Sequence, residues 1–102
     1  MPGDKLVAYL GPANIHDGVV VAMQRQNGLM QVTIRGVDGQ EIIIEFSGVE
    51  SVTAHRAEGM MVYALAEMAS PPPARRFVFV NWDDEDEARL EIAARAFQVV
   101  AT

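Results

Sequence analysis

The feature that most constrains the fold is the dipeptide Asn27-Gly28, which separates two apolar-rich runs at 19–25 and 29–35. Asparagine and glycine tolerate the positive φ values of a type I′ turn, whose twist matches that of two paired antiparallel strands. The sequence therefore predicts a β-hairpin with a two-residue loop and one apolar face. The cross-strand pairs that this loop predicts are Met23 with Val32, Val21 with Ile34, Gln24 with Gln31 and Ala22 with Thr33.

A second turn signal, Asp38-Gly39, precedes the next apolar run at 40–47. A two-residue loop would turn Glu45 toward the core, and burying an unpaired carboxylate is costly. A three-residue loop over 37–39 moves the register by one residue and places Gly39 in the left-handed position of a bulged turn. We therefore predict the longer loop, with these pairs facing the core: Ile34 with Ile42, Val32 with Ile44, and Met30 with Phe46.

Three further segments have a regular pattern. The run 49–55 is interpreted as a fourth strand, and the wholly apolar run 77–80 is typical of a central strand. In the segment 58–68 apolar side chains recur at helical spacing, and its alanine, leucine, methionine and glutamate residues favour helix. We therefore predict one short helix near 58–68. The residues with helical spacing are Met61, Ala64, Leu65 and Met68.

Two patterns conflict in the segment 84–98. Aspartates at its start are good helix caps, and Glu85 with Arg89 forms a supportive i,i+4 pair. Apolar residues at every second position favour a strand instead. Local propensity alone slightly favours helix. The alternating apolar residues are Leu90, Ile92, Ala94 and Ala96.

These elements predict a mainly β fold of the α+β class. We expect an antiparallel sheet or small sandwich of hairpin-connected strands, with one short helix near 58–68. A length of 102 residues suits a single domain that spans 1–102. Half of the residues are hydrophobic, which is enough to build an ordinary core and is atypical of a disordered chain.

The absence of cysteine excludes disulfide bridges, thiolate zinc sites and cysteine nucleophiles. The apolar run at 6–10 is shorter than the core of a signal peptide. No stretch approaches the roughly 20 apolar residues of a membrane helix. We therefore expect a cytoplasmic protein with no membrane association.

The net charge is −6 and the pI is about 4.7, which disfavours nucleic-acid binding. An acidic surface of this kind either serves solubility alone or attracts a basic partner. Five of the 14 acidic residues lie together at 83–87, next to the sole tryptophan. The run contains no glycine of the kind that a calcium loop requires. It is either a solvated loop or a docking surface for a basic protein. The residues predicted to bind such a partner are Trp82, Asp83, Asp84, Glu85, Asp86 and Glu87.

His16 and Asp17 form a second candidate site, because a carboxylate beside an imidazole can orient it. Together with His55 they would provide ligands for a metal or groups for acid–base chemistry. The alternative is that Asp17 and Gly18 form a turn into the first strand, that His16 makes a local hydrogen bond, and that His55 lies on the surface at the end of a strand. No phosphate-binding glycine loop or nucleophile elbow is present, so we expect no cofactor.

The chain carries five short motifs, which are His16-Asp17-Gly18, Asp38-Gly39, Glu58-Gly59-Met60, the run from Arg75 to Trp82, and Leu90-Glu91-Ile92. In this combination it resembles a group of small uncharacterised bacterial proteins from about residue 14 onward. The resemblance implies a final strand at Leu-Glu-Ile and thereby favours strand for 84–98. The early His-Asp followed by short strands is also similar to some immunity proteins of bacterial toxin systems. That similarity implies a cytoplasmic protein that binds a partner, and it assigns no site residues.

Three functions follow from these observations. The first is a non-enzymatic protein-binding module that neutralises a basic protein partner through the acidic run. The second is a metal-dependent or acid–base enzyme that uses His16, Asp17 and His55. The third is an oligomeric structural protein, such as a homodimer, joined through exposed strand edges.

Overall fold

The structure, a computed structural model, describes residues 5–11, 15–83 and 85–101, and it describes residue 101 by its backbone alone. The described residues form nine strands, all paired antiparallel, and contain no α-helix. None of them belongs to a helix long and apolar enough to cross a membrane. The mainly β prediction is therefore confirmed. The strands are β1 Leu6–Leu10, β2 Gly18–Gln26, β3 Leu29–Arg35, β4 Glu41–Ser47, β5 Ser51–His55, β6 Met61–Met68, β7 Arg75–Asn81, β8 Arg89–Ala94 and β9 Ala96–Ala101.

The first hairpin forms at the predicted dipeptide. Asn27 and Gly28 have φ values of 50° and 80°, as a type I′ turn requires. Three of the four predicted pairs of β2 and β3 are confirmed. They are Met23 with Val32, Gln24 with Gln31 and Ala22 with Thr33.

The fourth predicted pair, Val21 with Ile34, is wrong. The register shifts between Val20 and Ala22, so that Val20 lies opposite Ile34 and is fully buried. This bulge follows from a second neighbour of β2, because the Val20 N–H donates to the carbonyl of Met60 at 3.0 Å. The start of β2 thus aligns with the segment leading into β6, while its end aligns with the hairpin.

The second hairpin has the predicted three-residue loop and the predicted register. Gly36 N–H donates to the Gln40 carbonyl at 2.8 Å, and Gly39 has a φ of 83°. Glu45 faces away from the core and accepts a hydrogen bond from Gln31 at 3.0 Å. The confirmed core-facing pairs are Ile34 with Ile42, Val32 with Ile44 and Met30 with Phe46.

The predicted helix near 58–68 is wrong, because residues 61–68 form strand β6. A bulge between Val62 and Ala64 interrupts the alternation of the strand. Val62 and Leu65 are consequently both fully buried although they are three residues apart, a spacing that also occurs on one face of a helix. The hydrogen bonds of β6 with β1, β2 and β7 outweigh its local helix propensity.

The predicted central strand at 77–80 is confirmed as part of β7, and the strand predicted from 49 begins at Ser51. In the segment 84–98 the strand interpretation is correct from Arg89 onward. Strand β8 pairs with β5 on one edge and with β7 on the other. A helix there would leave both neighbours without backbone partners, which explains why its local helix signals are overridden.

The strand order is β5-β8-β7-β6-β2-β3-β4-β9, with β1 beside β6. Only Arg95 separates β8 from β9, and residues 48–50 separate β4 from β5. Because β4 pairs with β9 and β5 with β8, these strands form one bent ladder that joins the two ends of the sheet. The curled sheet encloses a single apolar core. Its largest fully buried side chains include Phe46, Phe77, Phe79, Ile34, Ile42, Ile44, Leu65, Leu90 and Ile92.

An ion pair lies beside the aromatic part of this core. The Arg75 guanidinium donates to both carboxylate oxygens of Glu67, at 2.9 and 2.7 Å. It also lies 5.1 Å from the ring centre of Phe77. The hydrogen bond from Arg75 holds the pKa of Glu67 below its usual value, and the same bond raises the pKa of Arg75.

The lowered pKa of Glu67 predicts a pH-dependent contribution to stability. The contribution is present above the unfolded-state pKa of a glutamate and is lost as pH falls through the lower folded-state pKa. We expect Glu67→Gln to lower the free energy of unfolding by about 1 kcal/mol at neutral pH, since Arg75 is partly exposed and water screens the pair. Urea denaturation of parent and variant across acidic pH should show this difference shrinking.

The control for this prediction is Glu41→Gln. Glu41 belongs to an exposed pair with Arg35 at 3.4 Å, and such pairs contribute little. A destabilisation by Glu67→Gln that stays constant as pH falls would contradict the assignment to the ionised pair.

Candidate functional site

His16 lies in the turn before β2, and its ring is oriented by the backbone of β6. Its Nδ1 lies 2.8 Å from the carbonyl oxygen of Tyr63. Because a carbonyl only accepts hydrogen bonds, Nδ1 carries the proton in this contact. The opposite nitrogen, Nε2, lies 3.7 Å from Asp17 Oδ1 and is an acceptor when the ring is neutral. His16 and Asp17 are therefore adjacent, as the sequence predicted, but the group that orients the imidazole is on β6.

Three rings meet at this point and form an aromatic trio of His16, Tyr63 and Trp82. The ring centres are 5.1 Å apart for His16 and Tyr63, 5.3 Å for His16 and Trp82, and 5.1 Å for Tyr63 and Trp82. The backbone N–H of Trp82 donates to the carbonyl of Met61 at 3.1 Å, which holds this residue against the start of β6. Tyr63 and Trp82 remain 41% and 43% exposed. The trio is therefore a fixed aromatic surface.

A shallow pocket of about 280 Å³ adjoins the trio. Tyr9 and Leu10 of β1 form one wall, and His16 and Tyr63 form another. Most of the lining is apolar. The pocket therefore forms a recess beside the aromatic trio.

In the acidic loop, residues 83–87, two aspartates accept hydrogen bonds from nearby backbone N–H groups. Asp83 Oδ1 accepts from the Glu85 N–H at 2.9 Å, and Asp86 Oδ1 accepts from the Ala88 N–H at 3.2 Å. Asn81 donates to Asp86 Oδ2 at 3.2 Å. The hydrogen bond from Ala88, followed by that from Asn81, lowers the pKa of Asp86. Two of the predicted partner-binding residues therefore also shape the loop. Asp84, the third predicted aspartate, lies outside the described residues.

The two glutamates of the acidic loop project outward. The Glu87 side chain is 82% exposed, and its carboxylate lies 3.8 Å from the Arg56 guanidinium. Arg56 also approaches Asp86 at 3.5 Å. Glu85 is exposed as well. These carboxylates remain accessible to a basic partner, because Arg56 balances only part of the charge.

His55 is at the end of β5 and is exposed. It borders a surface depression shared with the acidic loop, while His16 borders the pocket beside the trio. Within residues 5–11, 15–83 and 85–101, no three His, Asp or Glu side chains are grouped so that they could hold a metal ion. The structure therefore brings His55 toward the acidic loop and places His16 in a different depression.

Tyr63 and Asn81 are site residues that the sequence analysis missed. Tyr63 was assigned to the predicted helix, where its neighbours would have been different. Asn81 has a local signal, because its Oδ1 accepts from the Asp83 N–H at 3.0 Å, an arrangement typical of asparagine at a turn. The pairing of His16 with Trp82 has no sequence signal, because 65 intervening residues separate them in the chain.

The geometry describes an accessible surface with aromatic rings at its centre and the carboxylates of the acidic loop beside them. Comparisons with known proteins add no assignment: the chain matches no protein-family model, no curated protein and no solved structure.

Proposed function

We propose that the protein is a non-enzymatic binding module that takes a basic segment of a partner protein on the surface formed by the aromatic trio and the acidic loop. The observation that carries the proposal is the junction of the two at Trp82. This side chain is at once a member of the trio and the residue directly before the acidic loop. Aromatic anchors beside charged groups are the usual energetic centres of protein interfaces.

The aromatic trio supplies the apolar part of the surface. Tyr63 and Trp82 keep about two-fifths of their area exposed, although each contacts the other and His16. Tyrosine and tryptophan are enriched in interfaces because they offer a large rigid area with little loss of conformational entropy on binding. Their ring faces also attract the cationic side chains of arginine and lysine.

The acidic loop supplies the charged part. The hydrogen bonds of Asp83 and Asp86 hold the loop before a partner arrives, so little ordering entropy is lost on binding. Glu85 and Glu87 then present carboxylates to a basic side chain. The net charge of −6 accelerates encounter with a positively charged protein.

The enzyme hypothesis has less support. His16 and His55 border different depressions, and two aromatic rings lie against His16. Acid–base chemistry that uses both histidines would need them in one pocket. The rings packed against His16 support a contact surface instead.

The proposal predicts that an arginine-rich peptide changes the fluorescence of Trp82, which is the sole tryptophan. The comparison peptide has glutamate in place of each arginine and should have no effect. Tyr63→Ala should weaken binding of the arginine peptide roughly tenfold, which corresponds to about 1.4 kcal/mol. Glu85→Gln combined with Glu87→Gln should weaken binding at low salt, and the difference from the parent should shrink at high salt.

The matched control combines Glu41→Gln with Glu50→Gln, which changes the net charge equally outside the acidic loop. Asp83 and Asp86 are left intact because their loss would disturb the loop itself. If both double variants lose the same affinity, binding depends on overall charge, and the proposed surface is wrong.

A further inference from the structure

The His16 ring is held so that a second proton can add at one nitrogen only. The hydrogen bond from Nδ1 to the Tyr63 carbonyl uses the proton that the neutral ring already carries. The second proton therefore adds at Nε2, which lies 3.7 Å from Asp17 Oδ1. Because the Nδ1 hydrogen bond is present in both charge states, protonation changes the charge of the ring and keeps its orientation.

The carboxylate opposite Nε2 is positioned by the backbone of the same turn. Asp17 has a φ of 66°, a left-handed conformation in which aspartate is enriched relative to most residues. Its N–H donates to the carbonyl of Val62 at 2.9 Å, which fixes the turn on β6. The side chains of His16 and Asp17 are 50% and 43% exposed, so the pair exchanges protons with solvent.

We propose that His16 is a pH-dependent switch of the binding surface, and that its protonation weakens the contact of the aromatic trio with a basic segment. This inference rests on the proposed function. The His16 ring centre lies 5.1 Å from that of Tyr63 and 5.3 Å from that of Trp82. Both distances are within the roughly 6 Å over which an aromatic ring attracts a cation.

A protonated His16 acts against a basic partner in two ways. The imidazolium takes up the attraction that the faces of the two rings would otherwise offer to an arginine or a lysine of the partner. It also places a positive charge at the centre of the surface, where it repels the like charge of the bound segment. Neutral His16 has neither effect, so the surface is open to a basic segment when the ring has lost its second proton.

The segments around His16 contribute other titratable side chains. Carboxylates ordinarily titrate below about pH 5 and phenols near pH 10, whereas histidine changes charge between about pH 5 and 8. A transition at the trio between pH 8 and roughly 5.5 is therefore expected from an imidazole. The side chains are Asp17 from the same turn, Tyr9 from β1, Tyr63 from β6, and Asp83 from the segment that carries Trp82.

The first test measures the switch without a partner. A positive charge beside an indole ring changes its emission, and Trp82 is the sole tryptophan. The fluorescence of the folded full chain should therefore show a transition between about pH 8 and 5.5. His16→Gln should abolish the transition, since its amide can still donate to the Tyr63 carbonyl but takes up no proton. The control, His55→Gln, should keep it, because His55 borders the other depression. Urea denaturation should show that both variants are folded.

The second test measures the effect on binding. The affinity of the arginine-rich peptide for the parent should be about threefold lower at pH 5.5 than at pH 8 in low salt. His16→Gln should lessen this loss, while His55→Gln should still show it. Coupling between proton and peptide is reciprocal, so saturating peptide should move the Trp82 transition of the parent to lower pH. That last measurement needs no variant.

The outcomes separate the switch from the proposed function. A parent whose Trp82 emission shows no transition would overturn the switch, and so would a transition that persists in His16→Gln. Peptide binding with the same pH dependence in the parent and in His16→Gln would overturn the switch and leave the binding surface standing. A peptide that binds to the parent at no pH would instead contradict the proposed function, and the control of binding by His16 would be wrong with it.

Discussion

Phe46→Ala is expected to lower the free energy of unfolding by about 3–5 kcal/mol, the typical cost of deleting a buried phenylalanine ring. Phe46 is fully buried and touches three other rings. Its ring centre lies 5.1 Å from that of Phe77, 5.9 Å from Phe79 and 6.4 Å from Phe97. These rings come from β7 and β9, so the cavity would lie where the bent ladder closes the sheet.

The loss is large because a domain of this size has a total stability of roughly 5–15 kcal/mol. Urea denaturation at neutral pH measures it directly, with Leu29→Ala as the control. Leu29 is 41% exposed at the edge of the first turn, and its truncation should cost less than about 1 kcal/mol. Equal destabilisation by the two variants would contradict the assignment of the core to the Phe46 cluster.

Gly18→Ala is expected to be the second most damaging single change, with a cost of about 1–3 kcal/mol from overpacking. A Cβ atom at residue 18 would lie 2.5 Å from Ile34 Cγ2 and 2.9 Å from the carbonyl oxygen of Ile15. The isoleucine methyl is confined by the core, and the carbonyl belongs to the backbone of the His16 turn. The strain should therefore shift that turn as well as destabilise the fold.

The expected shift of the His16 turn provides a second measurement for Gly18→Ala, the fluorescence of Trp82. His16 contacts Trp82 at 5.3 Å between ring centres, so a shifted turn should change the tryptophan emission of the folded variant. The control is Gly28→Ala, where no atom lies within 4 Å of an added Cβ but φ is +80°. That variant should cost about 1–2 kcal/mol from backbone strain alone and leave the emission unchanged. An unaltered emission in Gly18→Ala would contradict the proposed coupling between this glycine and the aromatic trio.

The two hairpins could be predicted in detail because their turns are determined locally. Asn27 and Gly28 tolerate the positive φ values of the turn, and this preference does not depend on distant parts of the chain. The choice between two loop lengths at Gly39 was decided by the burial of Glu45, a cost that the local alternation already reveals. Register follows from such signals wherever one face is apolar.

Strand β6 shows why the rest of the fold could not be predicted in this way. The bulge between Val62 and Ala64 interrupts the alternation of buried and exposed side chains along the strand. The spacing of its apolar residues is therefore also compatible with a helix. The bulge exists because β6 is paired with β1 and β2 on one edge and with β7 on the other. Of these neighbours, β1 and β2 lie within the first 26 residues of the chain, and no pattern local to β6 contains them.

The candidate site likewise contains a part that the sequence predicts and a part that depends on the assembled sheet. The sequence placed Trp82 beside the acidic run, because adjacent residues remain adjacent in any fold. It did not reveal that the carboxylates of Asp83 and Asp86 accept hydrogen bonds from the backbone of the loop. It also did not indicate that Tyr63 belongs to the site. The aromatic trio depends on β6 being a strand, since only then do the Tyr63 carbonyl and ring meet His16.

The sequence by itself determined the β class, the two hairpins with most of their register, and the acidic loop with its tryptophan. The tertiary structure alone decided that β6 is a strand, that the sheet closes, and that His16, Tyr63 and Trp82 meet. The physical reason is the range of the interactions. Turn conformation and apolar alternation are local free energies, whereas the choice between helix and strand depends on backbone partners that only the assembled sheet provides.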